Sequence, residues 1–178
     1  TGLLPLGAAT LIFLFLSAIA HFLTVLPGLN NFYNKNLDKG INYFRWFEYA
    51  LSSSVMIVLI AMLFGVYNLG ALIMMIGLNA TMNLMGLMME IHNQSTEKTN
   101  WAAFNIGWFT GLLPWLIIII YLIGIGGVNN TPWFVWALLG GYFFFFFNTF
   151  PVNMYLQYKK IGKWADYLYG ERWYIILS

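Results

Sequence analysis

The sequence predicts an all-α integral membrane protein, a bundle of apolar helices joined by short polar connectors. Three observations predict it. Only 8% of the 178 residues are charged and 61% are hydrophobic, whereas soluble domains carry about 25% charged residues. A chain so poor in charge cannot cover itself against water, and its mean hydropathy is +0.73. The apolar residues also gather into runs of about 20, the length that crosses a bilayer.

The runs follow in order as one transmembrane domain over residues 1–178. The first span covers about 3–26 and stops at Pro27-Gly28. The connector 29–42, rich in Asn and holding Lys35 and Lys39, reads as a polar loop. The second span is 43–66. The short turn Tyr67-Asn68-Leu69-Gly70 leads to the third, about 71–91. After the polar connector 92–100 comes the fourth span, 101–125, with Pro114 inside it. An uncharged connector precedes the fifth span, 132–158, in which Pro151 is expected to make a kink. A basic connector, 159–170, leads to a sixth span that opens near Glu171 and has only begun at Ser178. Both ends read as trimmed, with further sequence expected on either side.

The charges give an orientation. Lys35, Lys39, Lys98, Lys159, Lys160 and Lys163 fall in the first, third and fifth connectors, with Arg45 and Arg172 at their edges. The second and fourth connectors hold no Lys or Arg. By the positive-inside rule, connectors 29–42, 92–100 and 159–170 are cytoplasmic in a multi-pass protein of the cell membrane.

Several function classes are excluded by what the chain lacks. With no cysteine there is no disulfide and no thiolate metal site. A net charge of +2 is too small to suggest nucleic acid. His21 and His92 are far apart and lack metal-ligand spacing. No Gly-rich phosphate loop or Ser-His-Asp set is visible, so no enzyme is expected. Membrane lipid is the partner that composition implies.

The polar residues inside the spans carry the functional question. Residues four apart share a helix face. Ser17 and His21 do so on the first span, Glu48, Ser52 and Met56 on the second, Asn79 and Asn83 on the third, with Gly86 a turn further on. Asn148 and Asn153 sit on the fifth. Turned inward, these groups make one polar cluster in which Glu48 is the sure charge. Each has a plainer reading. Ser and Asn also act as hydrogen-bond glue between membrane helices. Glu48 lies three residues from Arg45, as an interfacial ion pair would. The methionines fill gaps in cores. Glu90 and His92, at a span end, are accounted for by solvation, and the sequon Asn93-Gln94-Ser95 lies in a connector assigned to the cytoplasm.

A carboxylate within a span costs roughly 2.5–3.5 kcal/mol and normally has a partner. A resemblance supplies one. The stretches Phe44-Arg45-Trp46-Phe47-Glu48-Tyr49 and Leu51–Ala61 resemble the third helix of heliorhodopsins. Leu16-Ser17-Ala18-Ile19-Ala20-His21-Phe22 is similar to the family's second helix, and Gly77-Leu78-Asn79-Ala80-Thr81-Met82 to its fourth. Tyr155–Lys159, Gly162-Lys163-Trp164, Tyr167-Leu168 and Gly170-Glu171-Arg172 resemble the end of helix six and the connector to helix seven. Tyr174–Ser178 looks like the start of helix seven.

The resemblance implies a rhodopsin-like seven-helix fold, of which five full spans and the start of another are here. It implies all-trans retinal as cofactor and Glu48 as counterion of the protonated retinal Schiff base on helix seven. Ser17, His21 and Asn79 match polar positions near that centre, and Ser178 matches a serine close to it. Met82, Gly86 and Phe147 match positions lining the chromophore pocket. The family's first helix is absent, and the attachment lysine is expected about one turn past Ser178. The function implied is light sensing and signalling, as a homodimer with an unknown cytoplasmic partner. A light-driven pump or channel is the alternative, and a retinal-free structural or partner-binding membrane protein another.

Overall fold

The computed structural model describes residues 6–124 and 132–177. The chain divides into two compact units, Thr1–Ile125 and Gly126–Ser178. In the first, α1 (Leu6–Val25), α3 (Tyr43–Leu63), α4 (Leu69–His92) and α5 (Ala102–Gly124) are long apolar helices, and a short α2 (Leu29–Leu37) joins α1 to α3. In the second, α6 (Trp133–Phe144) runs through a π-helical turn, Phe145–Thr149, into α7 (Phe150–Tyr158). A 3-10 turn, Gly162–Ala165, then leads to α8 (Tyr167–Leu177). Four helices are long and apolar enough to cross a membrane, or five if the bent pair of α1 and α2 forms one span.

The first unit is built on the hairpin of α3 and α4. Gly65, at φ 86°, takes the left-handed conformation that ends α3. Asn68 then caps α4 by accepting the backbone N–H of Ala71 at 3.0 Å. Asn42 caps α3 in the same way, accepting from Arg45 at 3.0 Å. With so short a turn, residues equally far from it face one another. α1 packs on α3, and α5 on α4.

Small residues set the α4–α5 contact. Gly107 and Gly111, four apart on α5, leave room for Met85 and Met82 of α4. A β-carbon at Gly111 would sit 2.2 Å from the Met82 sulfur, so the helices approach through glycine, as membrane helices commonly do. Pro114 stays inside α5, buried next to Trp115 and Ile118. The outward faces remain apolar: Leu11, Phe15 and Phe22 on α1, and Phe109, Ile120 and Ile123 on α5, are exposed. Such a surface suits lipid, not water.

The connector 29–42 is not simply a loop. Residues 29–37 form α2, turned 89° from α1. Two of the asparagines that suggested a loop bond within the helix: Asn34 donates to the Asn30 side chain at 2.9 Å and Asn36 to the Phe32 carbonyl at 2.8 Å, while Asn30 donates back to the Thr24 carbonyl at 2.8 Å. Phe32 and Tyr33 meet the ring of Phe44, edge on. The Gln94 side chain donates to the Lys39 carbonyl at 2.8 Å, tying connector 92–100 to connector 29–42.

In the second unit the irregularity near Pro151 is the π-helical turn, which ends two residues before the proline. α8 begins at Tyr167, four residues ahead of the expected start at Glu171. Asp166 explains this, because its carboxylate accepts the backbone N–H of Leu168 at 3.0 Å and opens the helix. The corner between α7 and α8 is closed by hydrogen bonds. Asn153 donates to the Gly170 carbonyl at 3.1 Å and accepts from the Trp164 indole at 2.7 Å, while Gln157 donates to the Tyr167 carbonyl at 3.2 Å. Trp164 stacks on Trp173 at 6.3 Å.

Candidate functional site

Glu48 sits on the second turn of α3 and is 8% exposed. Among the described residues its side chain makes no hydrogen bond and no ion pair. Its sequence neighbour Arg45, one turn away, does not serve it. The Arg45 guanidinium instead pairs with Glu90 of α4, with both side chains buried. This overturns two expectations: Glu90 is not a solvated end group, and Arg45 and Glu48 do not form an interfacial pair. The reason is register. Arg45 precedes Tyr67 by as many residues as Glu90 follows Asn68, so the hairpin brings them face to face.

The pair is closely held. The backbone N–H of Asn42 donates to the second Glu90 oxygen at 3.0 Å. The Trp46 ring lies 4.5 Å from the Arg45 guanidinium carbon, within cation–π range. Gly86 admits that ring: a β-carbon there would be 2.2 Å from it. Separating one partner from such a buried pair leaves an uncompensated charge and costs about 3–5 kcal/mol.

One turn deeper toward the hairpin turn lies a neutral network. The Ser53 hydroxyl donates to the Tyr49 carbonyl and accepts from Asn79 at 2.7 Å and Asn83 at 3.0 Å. Asn79 also reaches the Ser54 hydroxyl at 3.2 Å, and Asn83 bonds the Asn79 carbonyl at 2.9 Å. The network joins α3 to α4. The residues predicted near the charged centre therefore divide. Asn79 is fixed to serines of α3. On α1 the His21 ring bonds the Ser17 carbonyl at 2.8 Å; His21 is exposed and Ser17 half-buried. No hydrogen bond links any of the three to Glu48. Met82 packs on Gly111 and Gly86 on Trp46. Phe147 lies in the π-helical turn, 4.7 Å from the Phe143 ring. Ser178 falls outside the described residues.

Ser53 and Glu90 were the residues that face arithmetic missed. The i, i+4 stripe from Glu48 selected Ser52, yet the hub is its neighbour. Three serines in a row put a hydroxyl on every side of the helix, and only the partner helix selects one.

A buried, unpartnered carboxylate is costly unless it is paired or takes up a proton. None of the six lysines lies in a long apolar helix. The site therefore presents a buried carboxylate with no side-chain partner among the described residues, at the end of α3 that meets connector 29–42. A family model described as Heliorhodopsin matches residues 2–178. No curated protein matches the chain.

Proposed function

We infer the function from one premise: this chain belongs to the heliorhodopsin family. The family makes it a multi-pass membrane rhodopsin, a class that binds retinal. The reading that fits best is a light sensor that signals to a partner, not an ion pump and not an enzyme. Glu48 is the observation that carries it. When bound through a lysine, all-trans retinal supplies a light-absorbing cation whose position changes on illumination. Glu48 holds the negative charge against that cation, in surroundings too dry to screen it. The lysine is not among these residues, so this chain contributes the acid side of the site.

The distribution of ionisable groups favours sensing over transport. A proton relay needs such groups across the membrane. Among the described residues, His21, Arg45, Glu48, Glu90 and His92 of α1, α3 and α4 all lie within about two turns of the helix ends that meet connectors 29–42 and 92–100. Toward the opposite ends α3 and α4 offer only neutral polar groups. The Lys-bearing connectors support a cytoplasmic side on which a partner would be met, and we propose that the protein works as a homodimer.

The test is Glu48→Gln in the natural full-length chain reconstituted with all-trans retinal. The visible band is expected to shift to the red, and its loss on alkalinisation to move to lower pH by about 1 unit or more, because the cation loses its neighbouring charge. An unchanged spectrum and titration would remove Glu48 from this role. Illuminated vesicles that acidify or alkalinise their medium, with the change abolished by a protonophore, would replace sensing with pumping.

A further inference from the structure

Arg45 and Glu48 are neighbours on one helix face, with β-carbons about 5–6 Å apart at this spacing. Left alone, a guanidinium and a carboxylate so placed would pair. The structure shows the opposite: Arg45 is turned to Glu90 and Glu48 stands by itself. We propose that Glu90 is a positioning residue for Glu48: by engaging Arg45 it withholds the internal cation and leaves the Glu48 carboxylate free for the chromophore's charge. The inference rests on the counterion reading above.

The geometry supports withholding, not chance proximity. Both Glu90 oxygens are engaged, one by Arg45 and the other by the Asn42 N–H. The Asn42 side chain in turn accepts from the Arg45 backbone at 3.0 Å. The Trp46 ring lies against the guanidinium from within the hairpin, through the opening that Gly86 leaves. The guanidinium is thus held between the Glu90 carboxylate and the Trp46 ring. The elements packed on α3 are α1, α2 and α4. Their charged or titratable groups near this end are His21, Lys35, Glu90 and His92. His21, Lys35 and His92 are exposed, and His92 is bonded to Asn100 at 3.0 Å. Glu90 is the buried acid among them. If it loses its charge, the acid on Arg45's own helix, three residues on, is Glu48. The pair would then neutralise the counterion from inside the protein.

The experiment uses the natural full-length chain with Glu90→Gln, Glu48→Gln, both together, and Arg45→Gln/Glu90→Gln. With retinal bound, Glu90→Gln is expected to shift the band to the red. It should also bring forward its alkaline loss by about 1 pH unit or more, as Glu48→Gln does. Adding Glu90→Gln to Glu48→Gln should add nothing. Arg45→Gln/Glu90→Gln should restore the parent band, because no free guanidinium remains; removing both partners also spares the fold if Glu90→Gln alone unfolds it. Without retinal, the infrared carboxylate band of Glu48 should differ between Glu90→Gln and the parent, as a new ion pair alters it, with the band assigned by its loss in the double variant.

A parent-like Glu90→Gln beside a shifted Glu48→Gln would overturn this inference and leave the counterion reading standing. A red shift persisting in the Glu48→Gln background, or in Arg45→Gln/Glu90→Gln, would overturn it too. An unshifted Glu48→Gln would overturn both.

Discussion

Alanine at position 86 would place a methyl carbon 2.2 Å from the Trp46 ring. Carbon atoms settle at about 3.5–4.0 Å, so the ring must retreat by more than an ångström. It has little room to do so. Trp46 is 6% exposed, lies 4.5 Å from the Arg45 guanidinium and meets Tyr49 edge on at 6.4 Å. Overpacking of this kind costs about 1–3 kcal/mol. Against it stands the helix preference for Ala over Gly, about 1 kcal/mol in the opposite direction. With the ring restrained, the clash wins, and the net loss reaches about 2 kcal/mol. For a chain of this size that upper figure is a fall in thermal midpoint of about 4–8 °C. The assay is thermal unfolding in a fixed detergent, with Gly86→Ala made in the parent and in a Trp46→Leu background. In the parent it should destabilise. With the ring gone it should be neutral or stabilising, because only the helix preference remains. Equal destabilisation in both backgrounds would refute the argument, since the loss would then have nothing to do with Trp46.

Two further expectations concern the neutral networks. Ser53→Ala removes the acceptor shared by Asn79 and Asn83 and should cost about 1–3 kcal/mol in the same unfolding assay, whereas Ser52→Ala should stay within about 0.5 kcal/mol. The reverse order would show that the serine run is misassigned. Trp164→Phe keeps an aromatic ring beside Trp173 but deletes the 2.7 Å bond to Asn153. Hydrogen exchange should speed up over 159–170 with little change elsewhere; exchange unchanged in that segment would show that the bond does not hold the corner.

The membrane bundle was legible because composition left no other class, and the helix limits moved by a few residues at most. What misled was local chemistry. The asparagines of 29–42 look like loop formers, since their side chains compete with backbone hydrogen bonds. In α2 Asn34 bonds Asn30 and Asn36 bonds the Phe32 carbonyl, each a turn away on the helix itself, so the side chains accommodate the helix. Glu90 looked solvated because it ends an apolar run. Yet its partner could have been found by counting outward from the turn at Tyr67-Asn68, which pairs it with Arg45. Glu48 was legible as an oddity. That Arg45 does not serve it could not be read from α3 alone, because an i, i+3 pairing always looks available until a second helix competes. The choice among Ser52, Ser53 and Ser54 was hidden for the same reason.

The hairpin has a consequence for the membrane that houses it. Its ends are fastened, by the Asn68 cap at the turn and by the Arg45–Glu90 pair at the other end. The 22 residues of α4 from Leu69 to Glu90 span about 33 Å at the α-helical rise. The hydrocarbon of a typical bilayer is about 30 Å thick. A protein so clamped measures its bilayer. In a thinner one it can only lean or gather lipid around itself, at a cost of a fraction of a kcal/mol per ångström of mismatch. Lipid thickness therefore acts on this chain through the tilt of α3 and α4, and with them the depth of every buried charge they carry.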